Sequence, residues 1–339
     1  MIETKESGAI SSFKYDDRGR IIEKKTTEDR FDYEYDDNNN LIKASNKKGT
    51  SYLTYTDFGE VSSITDINGN TLKYNYDKLG NLTDIYYPSG KRVSRKIDEF
   101  ERIVEVNDDD DIISYQYDEE SRLLSLSNSQ STTLYNYSDN HDLTHQKTIS
   151  KKTNEVIEEV RYKYNKQGSI TEIHQPLRDE KEEYVYDELN RVIQVLESKK
   201  GDQVKRSFEY DNRGNRIQEK IKTKDEVIDK KYIVNMNDQL LRVVDSKGTF
   251  IQYQYDKNGN VINKRYQNDF EEKYNYNAEN ILTSIHNSDD RTIKFEYDHF
   301  GNRSAREETF DLHSVITSNK PKKDDQNEDK LSLNQAKHA

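Results

Sequence analysis

Seven histidines are the side chains best suited to metal binding or proton transfer. They are His141, His145, His174, His286, His299, His313 and His338. None stands in a metal-binding spacing such as His-Glu-x-x-His. The first two are four residues apart, but their segment has the pattern of a turn and a strand, so the two rings would not share a helix face. The chain has no Cys, which excludes disulfides and thiolate metal sites. We predict no metal-binding or catalytic histidine.

Carboxylates are the next candidates, and the densest group is the run of four Asp at 108–111. A Ca²⁺ site needs six or more converging oxygens, whereas most Asp residues here stand singly, each followed by variable residues. The sequence therefore predicts turn-capping Asp residues and a solvated loop at 108–111. A nucleophile elbow, a phosphate-binding glycine loop and a dinucleotide fingerprint are all missing. We predict no catalytic, cofactor-binding or metal residue and no cofactor.

Tyrosine is the third candidate, with 25 copies in 339 residues. Aromatic residues at alternate positions, as in Tyr74-Asn75-Tyr76, could form a stacking platform for sugars or a peptide. The competing interpretation is that one ring of each pair packs on neighbouring strands, since cross-strand aromatic pairs stabilise a sheet. The chain has no Trp, the commonest sugar-stacking residue, which disfavours a lectin. We expect a structural role and keep glycan or protein binding as an alternative.

The composition restricts the class of protein. Hydrophobic residues make up 31% of the chain and charged residues 35%, a balance typical of disorder, yet disordered chains are poor in aromatics. Rings half-buried in a sheet fit this balance better than a thick core. The net charge of −12 argues against nucleic-acid binding, which needs a basic surface. The sequence shows no signal peptide and no apolar run long enough to span a bilayer.

These residues recur in an internal repeat. One unit is an aromatic, a polar residue, Tyr, Asp, two variable residues, Gly, Asn or Arg, and then an aliphatic. Fourteen units, numbered 1 to 14 here, align on the second ring position, which we call the anchor. Nine of the thirteen intervals between anchors are 20 or 21 residues. The anchors are Tyr15, Tyr35, Tyr55, Tyr76, Ile97, Tyr117, Tyr137, Tyr164, Tyr186, Tyr210, Val234, Tyr255, Tyr276 and Tyr297.

Each unit has the pattern of a β-hairpin. Aromatics at alternate positions up to the anchor indicate a strand. The Asp after the anchor can close an Asx turn, and Gly or Asn four residues after the anchor tolerates positive φ. Aliphatics three residues apart, such as Leu82 and Ile85, indicate a return strand with a bulge. A second turn, as at Asn68-Gly69, leads to the next unit. We predict an all-β fold, an antiparallel ribbon of about 28 short strands.

Some segments depart from the repeat. The unit at Ile97 lacks its aromatic pair and has Glu101 in place of Gly. Longer second turns are expected around 151–155, 175–181 and 222–229. We divide the chain into a lead-in at 1–9, the repeat ribbon at 10–305 and a polar tail at 306–339. The tail is expected to be disordered, because it is highly polar and has almost no large apolar residue after Ile316.

The repeat resembles the YD repeats of the RHS (rearrangement hotspot) family, which also occur in teneurins and in bacterial wall-associated and polymorphic-toxin proteins. The resemblance is carried by Tyr-Asp-x-x-Gly units at Tyr15, Tyr76, Tyr210 and Tyr297 and covers about residues 10–305. It implies a long β-ribbon that spirals into a hollow shell. Toxin members end in an Asp-Pro-x-Gly core where the chain cleaves itself. None of the three prolines follows Asp, so self-cleavage is not expected here; they are Pro88, Pro176 and Pro321.

From the resemblance we expect a non-enzymatic structural module, part of a bacterial shell that encapsulates or scaffolds other polypeptide. Its partners would be an encapsulated polypeptide, a cell-surface protein or a glycan. Two alternatives stay open. One is a glycan- or protein-binding surface module that uses exposed Tyr. The other is a remnant of a polymorphic-toxin delivery protein that lacks its toxin domain. The resemblance implies secretion or a cell-surface location, although the sequence itself shows no export signal.

Overall fold

The computed structural model describes residues 2–6, 9–26 and 29–310. In this part of the chain, 29 strands form one sheet, and each strand pairs antiparallel with the next. The strands are β1 Ile2–Glu6, β2 Ala9–Tyr15, β3 Ile21–Lys25, β4 Arg30–Tyr35, β5 Leu41–Asn46, β6 Gly49–Tyr55, β7 Val61–Thr65, β8 Thr71–Tyr76, β9 Leu82–Tyr86, β10 Arg92–Ile97, β11 Ile103–Asn107, β12 Ile112–Tyr117, β13 Leu123–Ser127, β14 Ser131–Tyr137, β15 Leu143–Ser150, β16 Val156–Tyr164, β17 Ile170–Gln175, β18 Glu180–Tyr186, β19 Val192–Lys199, β20 Asp202–Tyr210, β21 Arg216–Lys222, β22 Val227–Val234, β23 Leu240–Asp245, β24 Phe250–Tyr255, β25 Val261–Tyr266, β26 Glu271–Tyr276, β27 Leu282–Asn287, β28 Arg291–Tyr297 and β29 Arg303–Phe310. The all-β meander predicted from the repeat is confirmed.

Strand β8 shows why the repeat forms a ribbon rather than a globule. Tyr74 and Tyr76 are half-buried on one face, while Lys73 and Asn75 are exposed on the other. Tyr74 pairs with Ile85 and Tyr76 with Leu82 on β9, so rings and aliphatics share that face. Among the described residues, Ala44 is the one apolar side chain that is fully buried. The fold is a single sheet whose apolar face is only partly covered.

The turn after each anchor has the predicted construction. In all fourteen units, the side-chain oxygen of the residue after the anchor accepts two backbone N–H bonds. The residue four after the anchor has positive φ in every unit. Four units use neither Gly nor Asn there; they have Glu101, Ser121, His141 and Asp238. Asp and His tolerate positive φ better than most residue types, whereas Glu and Ser do not, so the surrounding hydrogen bonds impose this conformation at Glu101 and Ser121.

A bulge follows each of these turns. In unit 4, Tyr76 pairs with Leu82 but Asn75 pairs with Asp84, so Thr83 is the extra residue. The register shifts at the same place in all fourteen hairpins. Bulges bend the strand that contains them and increase its twist. Their regular recurrence explains why the ribbon curls.

The longer middle units differ from the prediction. The turn at 151–155 is long, as expected. At 222–229, however, β21 extends to Lys222 and β22 begins at Val227, and at 175–181 a short 3₁₀ helix, Pro176–Arg178, connects β17 to β18. The added residues mostly lengthen strands, and β16 and β20 reach nine residues each. The expectation of longer turns was wrong there, because added residues gain ladder hydrogen bonds when they extend a strand.

The ribbon curls until its two ends meet. Lys24 in unit 1 forms an ion pair with Glu279 in unit 13, and Lys48 at the end of unit 2 pairs with Glu296, beside the anchor of unit 14. Both contacts join positions about twelve units apart, so twelve units make one turn of the spiral. The division into 1–9, 10–305 and 306–339 stays a prediction. Strand β1 lies within the first segment, β29 extends to Phe310, and the tail from 311 onward lies outside the described residues.

Candidate functional site: the seam and the two rims

The meander places its turns on two opposite edges of the ribbon. We call the edge formed by the fourteen turns after the anchors the anchor rim. The edge formed by the turns between one unit and the next is the return rim. The place where units 1 and 2 meet units 13 and 14 is the seam. These three features are the candidate sites of interaction.

Tyrosine hydroxyls join each unit to the one before it. In eleven units the anchor hydroxyl donates to the backbone carbonyl of the first return-strand residue of the preceding unit, at 2.5–3.0 Å. Tyr76, for example, donates to Val61. In the described part, ring–ring contacts are Tyr266 with Phe270 and His299 with Phe300, and neither joins two anchors. The units are thus linked by hydroxyl bonds and not by aromatic pairs, so only the expected pairing of aromatic rings across strands was wrong.

The anchor turns are linked to one another by a second set of contacts. In each of the nine units with Asp after the anchor, an Arg or Asn side chain four residues later donates to that carboxylate. Where this residue is Arg, it also stacks on the next anchor ring; Arg20 lies 4.7 Å from the Tyr35 ring centroid. The Arg20 guanidinium also donates to the Asp36 carbonyl at 3.0 Å. The Asn-or-Arg position of the repeat is therefore structural.

Capping also sets the ionisation of these Asp residues. Hydrogen bonds from the side chain and then the backbone of Asn81 hold the pKa of Asp77 below its usual value. The backbone N–H of Arg191, followed by its side chain, lowers the pKa of Asp187 in the same way. Both carboxylates are anionic acceptors at neutral pH, as turn capping requires.

The seam combines ion pairs with a cavity. Lys24 Nζ lies 5.4 Å from the Phe31 ring centroid while it pairs with Glu279. Burial lowers the pKa of Lys24. A cavity of about 260 Å³ lies between the two ends of the ribbon, and its lining includes these three residues with Lys48 and His299. The seam is therefore a contact of mixed charge around a small space.

His299 is the most deeply buried of the titratable residues that line the seam cavity. It is 8% exposed, and neither ring nitrogen has a hydrogen-bond partner in the described part of the chain. The ring meets Phe300 edge-on at 4.5 Å between centroids. Burial lowers the pKa of His299, although the Asp298 charge opposes this. The neutral imidazole is thus the form that the closed seam favours.

A buried carboxylate, Glu219, lies next to unit 11, whose anchor position is Val234 instead of Tyr. Glu219 is 6% exposed and accepts the Tyr232 hydroxyl at 2.7 Å. Arg206 lies 3.4 Å and Lys230 3.7 Å from the same carboxylate. Burial and the hydrogen bond to Glu219 raise the pKa of Tyr232 to about 12. This network stabilises the sheet locally where Val234 supplies no hydroxyl.

The structure gives the other chemistry-bearing residues separate partners. His141 contacts Arg122 at 2.9 Å, and His145 contacts Glu159 at 2.9 Å, so the two are not ligands of one site. The Asp run at 108–111 forms the turn between β11 and β12, and Lys91 bonds two of its carboxylates. In the described residues no group of three or more His, Asp and Glu could hold a metal ion.

Sequence reasoning missed the seam residues. Lys24, Glu279 and His299 occupy ordinary positions in their units, and the repeat offers no signal that distinguishes them. They become neighbours only because the curl brings units 1 and 13 together. Glu219 carried a weak signal, since it replaces an aliphatic at a return-strand position that faces the rings.

The sequence matches the family described as teneurin YD-shell over residues 2–85 and 146–317, which amount to 256 of the 339 residues. The chain therefore belongs to this family of YD-repeat shell proteins. The internal segment that does not match, residues 86–145, includes the unit at Ile97, which lacks its aromatic pair. No curated protein matches the sequence.

Solved structures share the fold. The TcdB2-TccC3-Cdc42 structure aligns with a TM-score of 0.56 at 14% identity, over 95% of this chain and 21% of that one. The TcdB2-TccC3 structure gives 0.57 and 13%, over 95% and 22%. The Photorhabdus luminescens Tc holotoxin pore gives 0.57 and 13%, over 89% and 22%. This chain thus spans about a fifth of the length of those chains. Within the described residues, no helix has the length and apolar character to cross a bilayer.

Proposed function

We propose that the chain is a non-catalytic structural module of a shell that encloses or scaffolds another polypeptide. The observation that carries the proposal is the seam, because a ribbon that meets itself surrounds an interior. Membership of the YD-shell family supports a shell. That the shell encloses or scaffolds another polypeptide is our own proposal. We also propose that it acts at the cell surface or after secretion, in line with the resemblance to RHS proteins.

The dimensions of the spiral limit what it could hold. Twelve units contribute 24 strands, and a spacing of about 4.8 Å gives a circumference of roughly 115 Å and a diameter of about 37 Å. Inward side chains take about 5 Å on each side, which leaves roughly 25 Å. A helix is about 10–12 Å wide, whereas a folded domain of about 100 residues has a radius of gyration near 13 Å and exceeds this bore. We infer that the content is an extended or helical segment.

The alternative of glycan binding through exposed tyrosines has less support. Eleven anchor hydroxyls already donate to backbone carbonyls, so they are not free to bind a sugar. Two other tyrosines are more open, Tyr52 at 50% and Tyr87 at 41% exposure. A glycan array with the purified chain tests this alternative, and a blank array would remove it.

Protease protection tests the shell proposal. The chain purified from its own host should carry a polypeptide that resists proteinase K. The double variant Lys24→Glu and Lys48→Glu places like charges across the seam, so it should expose that polypeptide to digestion. Lys78→Glu, on the anchor rim away from the seam, is the matched control and should leave protection intact. The proposal fails if no polypeptide is protected, or if protection is the same in all three proteins.

A further inference from the structure

His299 stands two residues after the anchor of unit 14, in a turn whose counterparts face solvent. In units 1 to 12 the residue at this position is exposed, and Met236 in unit 11 reaches 92%. In unit 13 it is the half-buried Ala278, whereas His299 is only 8% exposed. All fourteen turns have the same construction, so the turn itself does not bury the ring. The burial comes from units 1 and 2, whose residues Lys24 and Lys48 line the seam cavity together with His299.

The closed seam is a poor environment for a charged imidazole. Neither Nδ1 nor Nε2 of His299 has a hydrogen-bond partner in the described part of the chain. The imidazolium has two N–H donors and a full charge, and burying a charge without hydrogen bonds costs much more than burying the neutral ring. In an exposed turn, water would solvate either form. Protonation of His299 and closure of the seam therefore oppose each other.

The charged groups around His299 already have partners. The other titratable and charged residues that line the cavity are Lys24, Asp29, Lys47, Lys48, Glu279, Glu296, Tyr297 and Asp298. Four of them form the two ion pairs of the seam, and Lys47 lies 3.8 Å from Asp29. Asp298 accepts the backbone N–H groups of Phe300 and Asn302, and the Tyr297 hydroxyl donates to the Leu282 carbonyl. A carboxylate could serve the imidazolium only by leaving a lysine or a turn amide.

We propose that His299 is an acid-sensitive latch, whose protonation loosens the contact of units 1 and 2 with units 13 and 14 while the sheet stays folded. The lowered pKa of the buried ring agrees with this coupling. The closed seam is fully favoured above about pH 6.5, the ordinary pKa of an exposed histidine, and it weakens as the pH falls below that value. One proton raises the ratio of open to closed seam by about tenfold at most between pH 7.5 and 5.5.

In a shell, the latch would expose the enclosed polypeptide when the surroundings become acidic. This consequence rests on the proposed function, whereas the latch belongs to the seam and can be measured on the chain without contents. A working latch in a chain that protects no polypeptide would remove the enclosure and keep the latch. Protection by a chain whose seam ignores pH would remove the latch alone.

The pKa of His299 tests the coupling, and hydrogen exchange at the imidazole C2 position, followed by mass spectrometry, measures it. Glu279→Lys with Glu296→Lys places like charges across the seam and should open it. The added positive charges alone would lower the pKa of His299, whereas exposure of the ring raises it toward about 6.5. We therefore expect a higher pKa in this seam variant than in the wild type.

The matched control is Glu188→Lys with Glu209→Lys, which makes the same change in net charge at exposed positions in units 9 and 10. It should leave the pKa of His299 unchanged. A pKa that does not rise in the seam variant, or that rises equally in the control, would overturn the proposal.

The distance across the seam gives a second readout. Spin labels at Lys25→Cys and Ala278→Cys stand on the two sides of the seam, and the chain has no other Cys. Double electron–electron resonance should show long distances gaining on short ones from pH 7.5 to 5.5, by up to about tenfold, while circular dichroism shows that the sheet persists. In His299→Phe, which keeps a ring but cannot take up a proton, the distances should not change with pH. An unchanged wild type, an equal response in His299→Phe, or loss of the sheet signal at pH 5.5 would each overturn the latch.

Discussion

Removing one anchor hydroxyl measures how strongly successive units are joined. Tyr76 donates to the Val61 carbonyl at 2.8 Å in a partly buried position. A hydrogen bond of this kind contributes about 0.5–1.5 kcal/mol to the free energy of unfolding. We expect Tyr76→Phe to lower that free energy by about 1 kcal/mol, since the ring keeps its packing and only the bond is lost. Urea denaturation followed by circular dichroism measures the change from the shift in midpoint.

Tyr74→Phe is the matched control. Tyr74 lies two residues earlier on the same strand, its ring is half-buried on the same face, and the structure records no hydrogen bond from its hydroxyl. This substitution should change the free energy of unfolding by less than about 0.5 kcal/mol. Hydrogen exchange should also show faster exchange in β7 and β9 for the Tyr76 variant alone. Equal effects of the two substitutions would refute the hydroxyl link as the contact that joins units.

Three further predictions concern the turns and the seam. Burial lowers the pKa of His299 in the folded state, so the unfolded chain takes up its proton first, and the free energy of unfolding should fall as the pH drops below about 6.5. Thermal melts at pH 7.5 and 5.5 should show a smaller fall in melting temperature for His299→Phe than for the wild type. An equal fall in the two proteins would contradict this. Asp77→Ala removes the acceptor of the Leu79 and Asn81 amides, so both should exchange faster, while Asp77→Asn should preserve most of the protection. Glu101 holds φ +61, so Glu101→Gly should raise the free energy of unfolding by about 1 kcal/mol, and a lower melting temperature would argue against strain at that turn.

The local structure could be predicted from the sequence because each unit contains the residues that determine its strands, its turn and its bulge. Alternating aromatics define the strand, Asp and Gly define the turn, and the step from Leu82 to Ile85 indicates the bulge that the register shift at Tyr76 confirms. Repetition reinforced each of these weak signals. The same logic explains Glu101, which takes the positive φ of its turn although its residue type disfavours it.

Closure of the spiral was not predictable in the same way. Twelve units complete one circle, so each contributes about 30° of rotation. A small error in that angle, multiplied twelvefold, would separate Lys24 from Glu279 by tens of ångströms. The sequence pattern contains no measure of this angle, which depends on the twist and on the bulges. The seam cavity and the burial of His299 therefore emerged only from the structure.

The distance across the seam tests the central claim, a ribbon that closes on itself, most directly. The chain has no Cys, so two introduced cysteines can carry spin labels selectively. Lys25→Cys and Ala278→Cys place labels beside the Lys24–Glu279 pair and leave both seam ion pairs in place. Double electron–electron resonance should give a short distance, comparable to the reach of the two label side chains. An open ribbon would separate β3 from β27 by 24 strand spacings, about 115 Å, and a distance approaching that value would contradict closure.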